Sequence, residues 1–440
     1  MSILQLLEIN KACAWKTNQN RCAADTEQQF SRFENVLNSY SNLSYRETGV
    51  ERLISSKHRI AGKSRECGDR IESRMQLAEG SVIKGTYVVE RYIGGGSFGE
   101  VYRVRHKFLG RQAMKVFREC GVSEEEIVEL LREALLLSKI GHPNVIRVFE
   151  ANVLDEEYGS RGYFTMEYVP GGTLDEYMKS RHFVPQDEAL NITRQICAGV
   201  AVAHTFKPGI IHRDLKPQNV LVGYEETGFS AKVSDFGLAE APDKLTGFAP
   251  AAGSLMYEPP EAFEGLASFA GDVFAIGMIF YEMLTGRLPF EIKRDINVND
   301  RNDLRELLVE SRRRKPADSS KINDAVDPLV DPILQKAMEF NAKDRYKNAQ
   351  KMFEAVSACE KSLREANRPV SGVLLVSKSR IKVESSNLAK NYLQKALDLS
   401  KQACMLEEAT DCLQKAFMID PSLREKYVYL LKNWRKGVVM

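Results

Sequence analysis

The chain has 440 residues, is 43% hydrophobic and 28% charged, and balances 62 basic against 60 acidic side chains for a net charge of +2. That length allows two or three domains with a sizeable core, and the even balance gives no reason to expect nucleic acid, an anionic membrane or an acidic partner. Eight cysteines with no Cys-x-x-Cys pair, and no clustered histidines, argue against zinc or a disulfide framework and suit a reducing compartment. In chain order, the N-terminal MSILQLLEINKACAWK lacks the basic region and cleavage site of a secretory signal. Residues 1–82 form an Asn-, Gln-, Ser- and Arg-rich extension, with a modest helical signal in TEQQFSRFENVLNSY. From Gly85 the pattern turns to β-formers around a glycine cluster, so 85–120 reads as a β-meander that includes GRQAMKVF.

Helical signals follow. Ser123-Glu124-Glu125-Glu126 offers a capping box, and Ile127, Leu130, Ala134 and Leu137 mark one apolar face behind it. Thr173-Leu174-Asp175-Glu176 offers a second box, and Ile192, Ile196, Val200 and Ala203 stripe another helix. The run DVFAIGMIFYEML is apolar nearly all round, as expected of a helix buried in a larger domain, with Gly286 placed to close it in the left-handed conformation. Its apolar stretch, Val273 to Leu284, is broken by Gly277 and Glu282 and is well short of the roughly 20 residues that span a bilayer. A cytoplasmic protein with no membrane span is expected. SRRRKP (311–316) reads as a solvated loop face, and a Pro/Gly interruption at NRPVSG (367–372) precedes a last helical stretch.

Four short stretches carry chemistry. Gly94-Gly95-Gly96-Ser97-Phe98-Gly99-Glu100-Val101 satisfies G-x-G-x-x-G-x-V, a spacing whose bare backbone can approach phosphate oxygens closely. A dinucleotide-binding fold would need a helix next, whereas another strand follows. Lys115 in Ala113-Met114-Lys115-Val116 either snorkels to solvent or holds a buried anion, and Glu133 on the first helix could turn toward it. HRDLKPQN (212–219) packs a His, an Arg, an Asp, a Lys and an Asn between apolar flanks, and Asp235-Phe236-Gly237 follows a strand-like segment. A carboxylate at Asp235 and an amide oxygen at Asn219 suit Mg²⁺, which takes few protein ligands and relies on substrate phosphates.

On these residues, 85–358 resembles the eukaryotic-type (Hanks-type) serine/threonine protein kinases. The resemblance implies an α+β, bilobal fold over 83–358, with a β-rich lobe at 83–168, a helical lobe at 169–358 and ATP between them. It implies that Ile93, Gly94, Gly96, Ser97, Phe98 and Gly99 cover the nucleotide, that Val101 and Ala113 press on adenine, and that Met166, Glu167 and Val169 line the back pocket and hinge. Lys115, paired with Glu133, would hold the α- and β-phosphates. Asp214 would be the catalytic base, Lys216 would stabilise the moving phosphoryl group, and Asn219 and Asp235 would bind Mg²⁺, with Mn²⁺ as an alternative. His212 is expected to be a hydrogen-bonded core residue behind the loop.

Lys216 points to the serine/threonine branch, so the expected substrate is a protein hydroxyl. Ser254 falls where that branch keeps a hydroxyl near the base, Glu261 should pair with Arg345, and Arg213 beside the base implies a phosphorylated activation loop with Thr246 as the switch. A scaffold that keeps the fold without catalysis would typically lack one of Lys115, Glu133, Asp214, Asn219 or Asp235, and all five are present. In the tail, 372–440, the spacing of Ala409, Leu413, Ala416 and Pro421 resembles a tetratricopeptide helix, with an imperfect first helix in NLAKNYLQKALDLS. One and a half repeats cannot bury a solenoid core, so the tail must pack on a lobe or on a partner. Protein partners are therefore expected for 1–82 and 372–440.

Overall fold

In the computed structural model the residues described are 77–95, 99–118, 140–156, 159–207, 209–225, 228–236, 255–290, 301–366 and 379–439. The helical readings in the N-terminal extension and over 123–137, and the interruption at 367–372, lie outside them.

Strand β1 spans Val82–Ile83, β2 Tyr87–Gly95, β3 Gly99–His106, β4 Gly110–Phe117, β5 Val148–Glu156 and β6 Gly159–Glu167. They form one antiparallel sheet in the order β1-β2-β3-β4-β6-β5. The side-chain period of two explains why β4 is buried on both faces. Met114 and Val116 join Tyr87, Val89, Tyr102, Val104 and Tyr163 in a small core of the sheet's own. Ala113 and Phe117 point the other way, into the main core. Lys115 shares their face, and this parity is what delivers a lysine to the boundary between the two lobes.

The second lobe is helical. Helix α1 spans Leu174–Lys179 and α2 Gln186–Thr205, followed by the hairpin of β7, Val220–Glu225, and β8, Gly228–Val233. Then come α3, Phe269–Thr285; α4, Arg301–Arg312; α5, Ser319–Ile322; α6, Asp331–Ala337; and α7, Ala349–Glu365. The capping box read at 173–176 is present in full: Thr173 Oγ1 accepts from the Glu176 amide, and Glu176 reaches back to the Thr173 amide. Ile192, Ile196, Val200 and Ala203 of α2 are all completely buried. Helix α3 is buried nearly all round, and at about 1.5–3 kcal/mol for each large apolar side chain it anchors the lobe. Gly286 ends it at φ 70°, where a Cβ would also meet the His182 carbonyl oxygen at 2.2 Å.

The tail forms α8, Ser379–Leu399; α9, Leu406–Ile419; and α10, Ser422–Arg435. Leu393, Ala396, Ala409, Leu413, Ala416, Phe417, Leu431 and Trp434 belong to the same buried cluster as the helical lobe. Of the two surfaces left open by the sequence, the tail therefore packs on its own chain, within one compact unit, Leu77–Met440. The solvated-loop reading of 311–316 needs correction at its start. Arg312 ends α4 and is 2% exposed, donating to the carbonyls of Leu255 and Met256 and lying over the rings of Phe263 and Phe274. A basic run carries no signal for which of its members turns inward. No helix among the described residues is long and apolar enough to cross a membrane.

Candidate active site

A cleft of about 820 Å³ runs between the lobes, within the range of small-molecule sites. Its upper wall is built by the end of β2 with Ile93, Gly94 and Gly95, by Gly99 and Val101 of β3, and by Ala113 and Lys115 of β4. Register makes this wall continuous, because Val101 pairs with Lys115 and Ala113 with Met166. At Gly99 a Cβ would stand 2.5 Å from the Val116 carbonyl oxygen, so the close approach of β3 to β4 requires glycine. Met166, Glu167 and Val169 close the back of the cleft, and Asp214, Lys216, Asn219, Leu221 and Asp235 form its floor. Gly96, Ser97, Phe98, Glu133, Thr246 and Ser254 lie outside the described residues.

Lys115 is 6% exposed, and its Nζ donates to Asp235 Oδ1 at 2.7 Å. A buried ammonium needs such a partner, and here the partner comes from the opposite lobe. Lys216 Nζ donates to both carboxylate oxygens of Asp214, at 2.9 and 2.7 Å. The Asn219 amide nitrogen donates to the Asp214 carbonyl at 2.8 Å and to Asp214 Oδ2 at 3.1 Å. Asn219 thus spends its donors on Asp214, and its carbonyl oxygen is the atom it can offer a cation. That oxygen and the Asp235 carboxylate are hard ligands of the kind Mg²⁺ takes, so the residues present fit a divalent cation that completes its shell with phosphates and water.

The loop that carries Asp214 is held from behind. His212 is fully buried, its Nε2 2.9 Å from the Ser234 carbonyl oxygen and its ring 4.5 Å from that of Phe236. Asp272, in the first turn of α3, accepts from the amides of His212 at 2.7 Å and Arg213 at 3.0 Å, and lies 2.8 Å from His204 Nε2. Arg213 and Asp235 both have positive φ, 67° and 56°. Such conformations cost about 1–3 kcal/mol each and persist only where the surroundings over-determine them, as these contacts do. Sequence reasoning gave Asp272 no role, although a carboxylate in the first turn of a helix buried nearly all round had to find partners and was the available signal.

Two further contacts frame the site. Glu261 and Arg345 form a bidentate pair, with Arg345 Nη1 and Nη2 each 2.8 Å from a carboxylate oxygen. Tyr257 donates to Glu282 at 2.6 Å; burial pushes the Tyr257 phenol up, and burial likewise raises Glu282 against the lowering effect of that hydrogen bond.

Residues 87–356, more than half of the chain, match the family model described as the protein kinase domain. Over 278 residues the chain is 34% identical to the serine/threonine-protein kinase PrkC of Bacillus subtilis, covering 62% of this chain and 40% of that protein. It is 32% identical over 284 residues to the probable serine/threonine-protein kinase PknB of Lactococcus lactis, covering 63% of this chain and 42% of that protein. The matched stretch is therefore about two fifths of the length of those curated relatives. The crystal structure of the Mycobacterium tuberculosis PknI kinase domain superposes with a TM-score of 0.48 at 24% identity, covering 64% of this chain and all of that one.

Proposed function

The chain belongs to the protein kinase family, and from that premise we propose that it is an active serine/threonine kinase that moves the γ-phosphoryl group of ATP to a protein hydroxyl. One observation carries the proposal: Lys115, Asp214, Asn219 and Asp235, from three separate stretches of sequence, line a single cleft beneath Gly94 and Gly99. In this reading the backbone at 166–169 takes adenine between Val101 and Ala113, and Lys115 holds the α- and β-phosphates. Asp214 accepts the proton of the attacking hydroxyl, and Lys216, already on Asp214, meets the charge of the transferred group. Asp235 and the Asn219 carbonyl would hold Mg²⁺, which when bound neutralises phosphate charge. Because Asp272 and His212 fix the loop beforehand, little reorganisation is left for the moment of transfer.

The proposal extends to regulation by phosphate on Thr246 met by Arg213, which peptide mass spectrometry of active protein tests. It also includes action in the cytoplasm, which the free thiols of Cys197, Cys359, Cys404 and Cys412 support. The tail is proposed as a single tetratricopeptide-like hairpin, supported by complete burial of Ala389 and Ala396 on α8 and of Ala409, Leu413 and Ala416 on α9. The deciding experiment incubates the purified chain with γ-labelled ATP, Mg²⁺ and a generic basic protein. Label is expected on Ser or Thr and is expected to be lost in Asp235→Asn; a fully active Asp235→Asn would overturn the metal assignment.

A further inference from the structure

Helix α9 touches both lobes. Near its start, Glu407 accepts from Arg105 Nη1 at 2.6 Å, Glu408 pairs with Arg111, and Asp411 Oδ2 lies 2.7 Å from Arg103 Nη1 and 3.2 Å from Arg111 Nη1. All three arginines belong to β3 and β4 of the upper lobe. One turn further along, the side chain of Gln414 brackets Tyr224 of β7 in the lower lobe, its Oε1 accepting from the Tyr224 amide at 2.7 Å and its Nε2 donating to the Tyr224 carbonyl. The Phe417 ring meets the Tyr224 ring edge-on at 5.8 Å, and the Met418 carbonyl accepts from Arg181. Between the two sets lies the connection at 166–169, whose Tyr168 sits 3.5 Å from Asp411 and under the Arg103 guanidinium. Lys415, next to Gln414, lines the cleft itself.

We propose that α9 is a brace across the hinge that holds the two lobes at the opening ATP requires, with Asp411 and Gln414 as positioning residues at its upper and lower ends. The proposal rests on the kinase reading for the identity of the ligand. A helix is stiff over its roughly 16 Å from residue 407 to residue 418. Fastening one end to β3 and β4 and the other to β7 therefore removes rotation about 166–169 that would otherwise spread the lobes. If only the braced opening binds nucleotide, apparent affinity scales with its population, and releasing the brace lowers affinity without touching a catalytic group.

The test uses the full chain and four proteins: the parent, Asp411→Ala, Gln414→Ala and the double variant. Each is measured for KM with ATP·Mg²⁺, for kcat, and for hydrogen exchange of the amides at 166–172. Either single variant is expected to raise KM for ATP about tenfold with kcat within about twofold, and to speed exchange at the hinge. The double variant should fall well short of the product of the two single effects, because a brace loosened at one end transmits less from the other. Parent-like KM in both single variants, or effects that simply multiply in the double one, would overturn the brace. Should Asp411→Ala fail to fold, Glu408→Gln reads the same end. A parent that binds no ATP would instead overturn the kinase reading, and hinge exchange would still decide whether α9 restrains the lobes.

Discussion

Arg345 and Arg111 both bury their side chains against carboxylates, yet they are built differently. Arg345 has no side-chain exposure and spends its N–H groups on the two oxygens of Glu261 and on the carbonyls of Glu339, Phe340 and Ala270. Arg111, its side chain 5% exposed, belongs to a spread network in which three arginines share Glu90, Glu407, Glu408 and Asp411, whose side chains range from 12% to 43% exposed. The first assembly is closed within one lobe, so every partner depends on the others. The second joins strands to a helix about 300 residues away and shares its charge among neighbours, so single losses are partly absorbed.

The sharpest way to break this contrast is Arg345→Met. It leaves Glu261 without its counter-charge, and the expected loss is about 3–5 kcal/mol in denaturant unfolding. A loss under about 1 kcal/mol would mean that the two assemblies do not differ as their geometry says. Glu90→Gln comes next. Glu90 Oε2 takes Arg103 at 2.6 Å and Arg111 at 2.8 Å, while Oε1 takes Arg105 at 2.7 Å. Removing its charge while keeping its shape should cost about 2 kcal/mol, as for hydrogen bonds to charged groups.

The first assembly could be read from the sequence and the second could not. Glu261 and Arg345 stand in short stretches, Tyr257-Glu258-Pro259-Pro260-Glu261 and NAKDRY, and the resemblance those stretches carry implies the pairing. The same holds for the glycine cluster, for Lys115 between strand apolar residues, for HRDLKPQN, and for α3 with its glycine stop. Each of these signals sits within about a dozen residues. The acidic face of α9 looks on paper like any solvated helix face, and the arginines of β3 and β4 look like ordinary outward strand positions. Only tertiary folding brings Asp411 to Arg103. Asp272 and Arg312 show the same limit on a smaller scale: burial gives them their partners, and charge type alone does not say which member of a run is buried.

Acidification sharpens the comparison, because two carboxylates of the network titrate in opposite senses. Burial works to raise Glu90, but Arg111, Arg103 and Arg105 together outweigh it, and its pKa lies below the ordinary glutamate value. Glu90 therefore contributes stability above that ordinary value and loses it as pH falls through the lowered one. Asp411 is the reverse: burial prevails over Arg111, Arg103 and Arg91, and its pKa is raised. Its contribution is fully present below the ordinary aspartate value and is lost as pH rises through the raised one. Unfolding followed from about pH 3 to pH 7 should show Glu90→Gln flattening the acid-side loss and Asp411→Asn flattening the acid-side gain. Parallel curves for the two variants would contradict the assignment.

Glu407 marks the weak end of the network. It accepts from Arg105 at 2.6 Å, but the two side chains are 43% and 41% exposed, so water and salt screen the pair and side-chain ordering offsets much of its attraction. Arg105 also keeps Glu90 at 2.7 Å when Glu407 is neutralised. Glu407→Gln should therefore cost under about 1 kcal/mol in denaturant unfolding, with the difference from the parent shrinking as salt is added. A cost near that of Glu90→Gln, unchanged in high salt, would show that α9 is held chiefly at its exposed end rather than through Asp411 and Glu408, and that exposure is the wrong guide to which of these pairs matters.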